Sequence, residues 1–169
     1  MPDATGLELI AQELRDRDSD GVLDTTYFRE KAAITVTRET VQATLEHLRG
    51  KGYRFLASVH GVDYFPEEPR LGVHYELLDM QTVDRISVRT RVSTDEPHVP
   101  SVTAEWPTAD HQEREIYDMF GVLFDGHPDP RRILMPEDYE GFPQRRDFPM
   151  GGEAVLFTHN EPQLPGWWQ

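Results

Sequence analysis

The stretch that most restricts this chain is residues 108–149, where a helical repeat gives way to a proline-punctuated ribbon. Ala109, Ile116 and Phe120 share one face of a 3.6-residue period, and His111, Arg114, Glu115 and Asp118 fall on the opposite side. Glu113 falls close to the apolar face, where a carboxylate needs a partner. Thr108 reads as the N-cap and Gly121 as a left-handed stop. Asp110 sits in the first turn, where an acid suits the helix dipole, and Arg114 is expected to pair with Asp118 one turn on. Beyond Gly126 the periodicity ends. Met135-Pro136, Phe142-Pro143 and Phe148-Pro149 each set a large apolar side chain before a proline, which pushes that residue to extended geometry. An extended segment cannot bury such side chains against itself. They dock on the domain's own surface or on a partner's. The expected division is an α+β domain over residues 1–121 and an extended, partner-binding C-terminal arm over 122–169.

Upstream, Thr5-Gly6-Leu7-Glu8 reads as a capping box, and Leu7, Ile10, Ala11 and Leu14 make one apolar helical face. Residues 22–28 and 32–37 read as two strands forming a hairpin, followed by a helix over 38–49 with Val41, Leu45 and Leu48 inward. Three strands come next. In the first, Tyr53, Phe55, Ala57 and Val59 alternate with Arg54, Leu56 and Ser58. In the second, Val73, Tyr75 and Leu77 alternate with His74, Glu76 and Leu78. In the third, Ile86, Val88 and Val92 alternate with Ser87, Arg89 and Arg91. Short breaks between them fit a meander. This order predicts an α+β fold: a largely antiparallel sheet with helices on one face, followed by the arm. Residues 101–106 give no clear period. The chain ends Pro165-Gly166-Trp167-Trp168-Gln169, where two adjacent tryptophans are expected to anchor the end on a surface or to fray.

Charge and cysteine content narrow the function classes. At 169 residues the chain suits one domain with a tail, and its net charge of −14 opposes binding to nucleic acid or directly to anionic lipid. With no cysteine there is no disulfide, thiolate-held Fe–S cluster or cysteine nucleophile in this sequence. No apolar run approaches the roughly 20 residues of a membrane span. The first residues, Met1-Pro2-Asp3-Ala4-Thr5, do not read as a signal or transit peptide.

Little here is arranged for chemistry. His111 and Glu115, four apart on a helix, make only a pair, whereas a zinc site uses three or four ligands. Glu113 and Glu115 point to different sides of the helix, which opposes an acid–base dyad. His60, Asp63 and Tyr64 either line a pocket or mark a strand edge and turn. No glycine-rich nucleotide motif occurs. The basic doublets Arg131-Arg132 and Arg145-Arg146 stand out in an acidic chain. They suit either local pairing with Asp129, Glu137, Asp138, Glu140 or Asp147, or contact with a partner's carboxylates. No catalytic, cofactor-binding or metal-binding residue is expected. The expected partner-binding residues are Glu113, Arg114, Glu115, Asp118, His127, Arg131, Arg132, Met135, Phe142, Arg145, Arg146, Asp147 and Phe148.

Glu113-Arg114-Glu115, Asp118-Met119-Phe120, His127 and Arg131-Arg132-Ile133-Leu134, in that spacing, resemble the signature of the 30 kDa subunit family of respiratory complex I, NADH–quinone oxidoreductase. Glu140-Gly141 and Arg146-Asp147-Phe148-Pro149 continue the likeness; Pro130 stands where the family usually has leucine. The resemblance implies an α+β domain with a C-terminal arm and no redox centre, with Fe–S clusters, FMN and quinone held by partner subunits. It implies packing against the hydrogenase-like 49 kDa subunit and the Fe–S subunits of the peripheral arm, at the cytoplasmic side of the cell membrane and reached only through the complex. The role implied is to brace the quinone-reducing module of a proton-pumping enzyme. The equivalent subunit of a membrane-bound energy-converting hydrogenase is the alternative. A free-standing soluble enzyme using His60, Asp63 and His111 is a third reading.

Overall fold

A computed structural model describes residues 3–149; the paired tryptophans and the rest of residues 150–169 lie outside the described residues. The first helix, α1 (Ala4–Arg17), starts two residues earlier than the capping box expected from the sequence. Its N-cap is Asp3, whose carboxylate accepts the Gly6 N–H at 2.6 Å, and Thr5 lies inside the helix. Glu8, freed from a capping role, accepts from Arg15 and Thr25. The predicted apolar stripe of Leu7, Ile10, Ala11 and Leu14 is the buried one.

Strands β1 (Val22–Phe28) and β2 (Lys31–Val36) form the expected hairpin, with Arg29 and Glu30 at positive φ in the two-residue turn. After a short 3₁₀ turn, helix α2 (Val41–Gly50) buries Val41, Leu45 and Leu48. Strands β3 (Phe55–Asp63), β4 (Leu71–Asp79) and β5 (Asp84–Val92) make the meander, both pairings antiparallel. The hairpin then joins through a parallel pairing of β2 with β5, giving the five-stranded sheet the order β1-β2-β5-β4-β3. On one face Ile34, Val88, Tyr75 and Val59 line up across the strands. The helices cover that face with Leu7, Leu45, Leu48 and Ile116.

Two features are not legible from periodicity. In β3 the register shifts between Leu56 and Ser58, so Leu56 is buried and Phe55 exposed, the reverse of the predicted phase up to that point. A bulge returns Val59 to the core, and a simple period of two cannot report it. Then β6 (His98–Pro100) and β7 (Leu123–Asp125) pair in parallel as a separate two-stranded sheet, each too short to show alternation. Helix α3 (Ala109–Phe120) lies between them in sequence and packs on β3, where Gly61 leaves room for Ile116 and Phe120. Val122 and Phe124, just past Gly121, belong to the same core.

Candidate functional site

The signature residues gather around α3. Its end follows expectation: Gly121 has φ 76°, and its N–H donates to the Tyr117 carbonyl. Its start does not, because Thr108 is already helical and makes no side-chain cap. The expected Arg114–Asp118 pair does not form. Arg114 reaches instead to the carbonyls of Arg131 and Arg132, and to Asp129 at 3.5 Å.

Asp118, placed on the solvated side by helical periodicity, is fully buried. One carboxylate oxygen accepts the Arg132 guanidinium at 2.6 Å; the other accepts the consecutive N–H groups of Ile133, Leu134 and Met135 at 3.1, 2.7 and 2.8 Å. Burial pushes its pKa up, but these donors together outweigh burial and hold it below the usual aspartate range. The ribbon itself bends over the helix to supply the donors, so the polar side of α3 is covered. The Arg132 guanidinium lies 5.4–6.0 Å from the ring centres of Phe142, Tyr139 and Tyr117, and donates to the Gly141 carbonyl.

A second fastening ties residues 145–147 to the β3–β4 turn. Arg70 is buried and bidentate to Asp63 at 2.8 and 2.6 Å, and it also grips Asp147 with two bonds at 2.8 and 2.7 Å. Asp63 further accepts the backbone N–H groups of Phe65 and Arg146. The Arg70 guanidinium, against the opposing pull of burial, holds the Asp63 pKa far below the ordinary range. Arg146 donates from its side chain to the Phe65 carbonyl. Arg145 donates to the Phe120 carbonyl at 2.6 Å and lies over Phe142, whose ring fills the space beside Gly121. Phe148 stacks on Tyr139.

Glu113 is fully buried, and its oxygens accept from the Ser101 hydroxyl and the Val102 N–H at 2.7 and 2.8 Å. Burial raises its pKa. His127 accepts the Asp129 N–H on Nδ1, so in the neutral ring Nε2 carries the proton; it faces the Asp110 carbonyl at 3.2 Å. Glu113 and His127 share a cleft of about 290 Å³, but the Glu113 oxygens are spent on the loop after β6 rather than free to act as a base.

Among the expected partner-binding residues, Glu113 and Asp118 therefore have no exposed surface, and Arg132, Asp147 and Arg145 make bonds within the chain. Glu115 is exposed without an ion pair among the described residues, and Arg131 is exposed on Asp129. Met135 and Phe142 are half-buried. Ile133 and Leu134, which belong to the signature but not to the expected partner-binding residues, are 38% and 60% exposed. The sequence marks Asp63 only for a pocket or a turn. Arg70 gives no local signal, since its second partner lies 77 residues away. Among the described residues no three His, Asp or Glu side chains gather closely enough to hold a metal, and no helix is long and apolar enough to cross a membrane.

Fold and site thus define an α+β body carrying a proline-rich strap held by buried carboxylate–guanidinium clasps. Residues 34–154 match the family model for the respiratory-chain NADH dehydrogenase 30 Kd subunit, and the chain belongs to that family. It is 46% identical over 166 residues to the C subunit of the NADH-quinone oxidoreductase of Saccharopolyspora erythraea, spanning 96% of this chain and 66% of that one. It is 40% identical over 158 residues to the corresponding C subunit of Roseiflexus sp., with 92% and 91% covered. Among solved structures, the trypsin-resistant fragment of Nqo5 superposes with a TM-score of 0.62 at 32% identity, covering 73% of this chain and 98% of the fragment.

Proposed function

We propose that the chain is a non-catalytic structural subunit of the peripheral arm of a proton-pumping NADH–quinone oxidoreductase, bracing its quinone-reducing module. It would work at the cytoplasmic side of the membrane, with Fe–S clusters, FMN and quinone held by neighbouring subunits. The reading is supported by family membership and by one observation above the others: the Asp118 clasp. Three consecutive N–H groups fixed on one buried carboxylate give residues 133–135 a single backbone shape, and that shape leaves Ile133 and Leu134 outward. A rigid apolar pair on a preorganised loop loses little entropy on docking. Residues 122–169, the basic doublets among them, would then be the partner-binding arm, with the internal clasps setting its shape and the outward groups touching the 49 kDa and Fe–S subunits.

Affinity purification of the tagged chain from its native membrane tests this. Recovery of the 49 kDa and Fe–S subunits is expected, with loss of recovery for Leu134→Asp at unchanged solubility. Recovery without those subunits overturns the reading, and a nickel-containing large subunit in their place assigns the chain to a hydrogenase.

A further inference from the structure

The sheet face turned away from the helices carries a charge balance opposite to that of the chain. Of the arginines elsewhere, Arg38, Arg49, Arg70, Arg131 and Arg132 each sit on a carboxylate, while Arg145 and Arg146 give their side chains to backbone carbonyls. On this face Lys31, Arg85 and Arg89 have no carboxylate within ion-pair distance among the described residues. Lys31 and Arg85 are exposed, on adjacent strands one residue before the Ala32–Ile86 pair. Arg89 is central, between Thr35 and the buried His74. The carboxylates on the same face include Glu76, opposite Ser87 in the register, Asp24 at the β1 edge, which accepts from Thr26, and Glu67 before β4, which takes Arg91 of β5 at 3.5 Å.

A second observation points the same way. The Nε of Arg89 and the hydroxyl of Ser87, two residues apart on that face, are buried without a hydrogen-bond partner. An unmet buried donor is costly, and more so on a charged group. An acceptor on a docked segment would satisfy them once the side chains that cover them turn aside. Side chains at Arg85, Ser87 and Arg89 repeat about every 7 Å along the strand, the repeat of alternate residues in any extended chain.

We propose that this face is an interaction surface for an acidic, extended segment of a partner protein, with one carboxylate taken by Arg89 and Ser87 and others by Arg85 and Lys31. Nucleic acid is disfavoured because the whole chain would repel its phosphates. The surface lies across the sheet from the helices, and the proposal does not depend on which complex the chain joins.

The test is a titration of the ¹⁵N-labelled full chain with a synthetic peptide alternating glutamate and threonine, followed by amide shifts. A glutamine–threonine peptide is the control. Expected shifts are confined to β2, β4 and β5, with binding weakened about tenfold by Arg89→Gln and strongly reduced in about 0.5 M salt. The pair Lys31→Gln and Arg85→Gln, both at exposed positions, should weaken binding without touching the fold. Equal binding of the glutamine peptide overturns the proposal, as does no shift at millimolar peptide. Shifts on the helical side, preferential binding of a duplex oligonucleotide, or concentration-dependent shifts of the same face without peptide (a second copy as occupant) also overturn it.

Discussion

Replacing Asp118 with asparagine swaps one carboxylate oxygen for an NH₂ group and leaves the shape unchanged. In wild type all four donors point at the carboxylate: the Arg132 guanidinium at one oxygen, and three backbone N–H groups at the other. Whichever way the amide turns, its NH₂ meets either the guanidinium or the three N–H groups, so a donor faces donors. The Arg132 side chain is only 11% exposed and Asp118 not at all, so water cannot fully replace what is lost. Breaking one partner of a buried ion pair costs about 3–5 kcal/mol. Because the lost bonds tie residues 132–135 to α3, the loss falls first on that docking and not on the five-stranded sheet. Native-state hydrogen exchange reads it directly. A cost of about 3 kcal/mol is a loss of about two decades of protection at the amides of Ile133, Leu134 and Met135. The amides of β4 and β5 should lose much less. If protection at 133–135 is unchanged in Asp118→Asn, the carboxylate does not hold the strap.

Other outcomes follow from the same geometry. Arg70→Ala leaves Asp63 buried and unpaired, and should lower the free energy of unfolding by about 3–5 kcal/mol in urea titration. Asp147→Asn removes only the half-exposed partner and should cost under about 1 kcal/mol. Gly121→Val forces a β-branched residue to φ 76° and drives its side chain into Phe142; a loss of more than about 2 kcal/mol is expected by the same assay. His74 has its pKa lowered from 6.5 to about 4 by burial and then by Arg89 and His60, so the folded state takes up its proton later than the unfolded state does. Its contribution is full above pH 6.5 and is lost as pH falls from there toward 4, roughly 3 kcal/mol in all. Comparing urea midpoints of wild type and His74→Gln across that range isolates it, and parallel curves would refute it.

Much of the body is legible in the sequence because its strands repeat cleanly: Val73, Tyr75 and Leu77, or Ile86 and Val88, can face only one way. Helical faces are legible for the same reason in α1 and α2. What escapes is everything set by partners distant in sequence. Asp118 reads as solvent-facing within its own helix, and only the returning ribbon, 14 to 17 residues on, makes it buried. Arg70 belongs to no local pattern, yet it joins two segments. The phase error at Phe55 comes from one bulged residue. The need of Glu113 for a partner is visible, but its donors on Ser101 and Val102 lie in a stretch without a period. The sequence pattern marks where the strap runs; only the fold distinguishes its clasps from its outward groups.

The Asp118 clasp also orders events during synthesis. The ribosome delivers the aspartate before any of the four groups that neutralise it. Until residue 135 has emerged, α3 can close on the sheet only with a bare charge on its flank. Nascent or truncated chains ending earlier therefore carry a built-in mark of incompleteness, which full-length molecules erase as soon as the strap folds down.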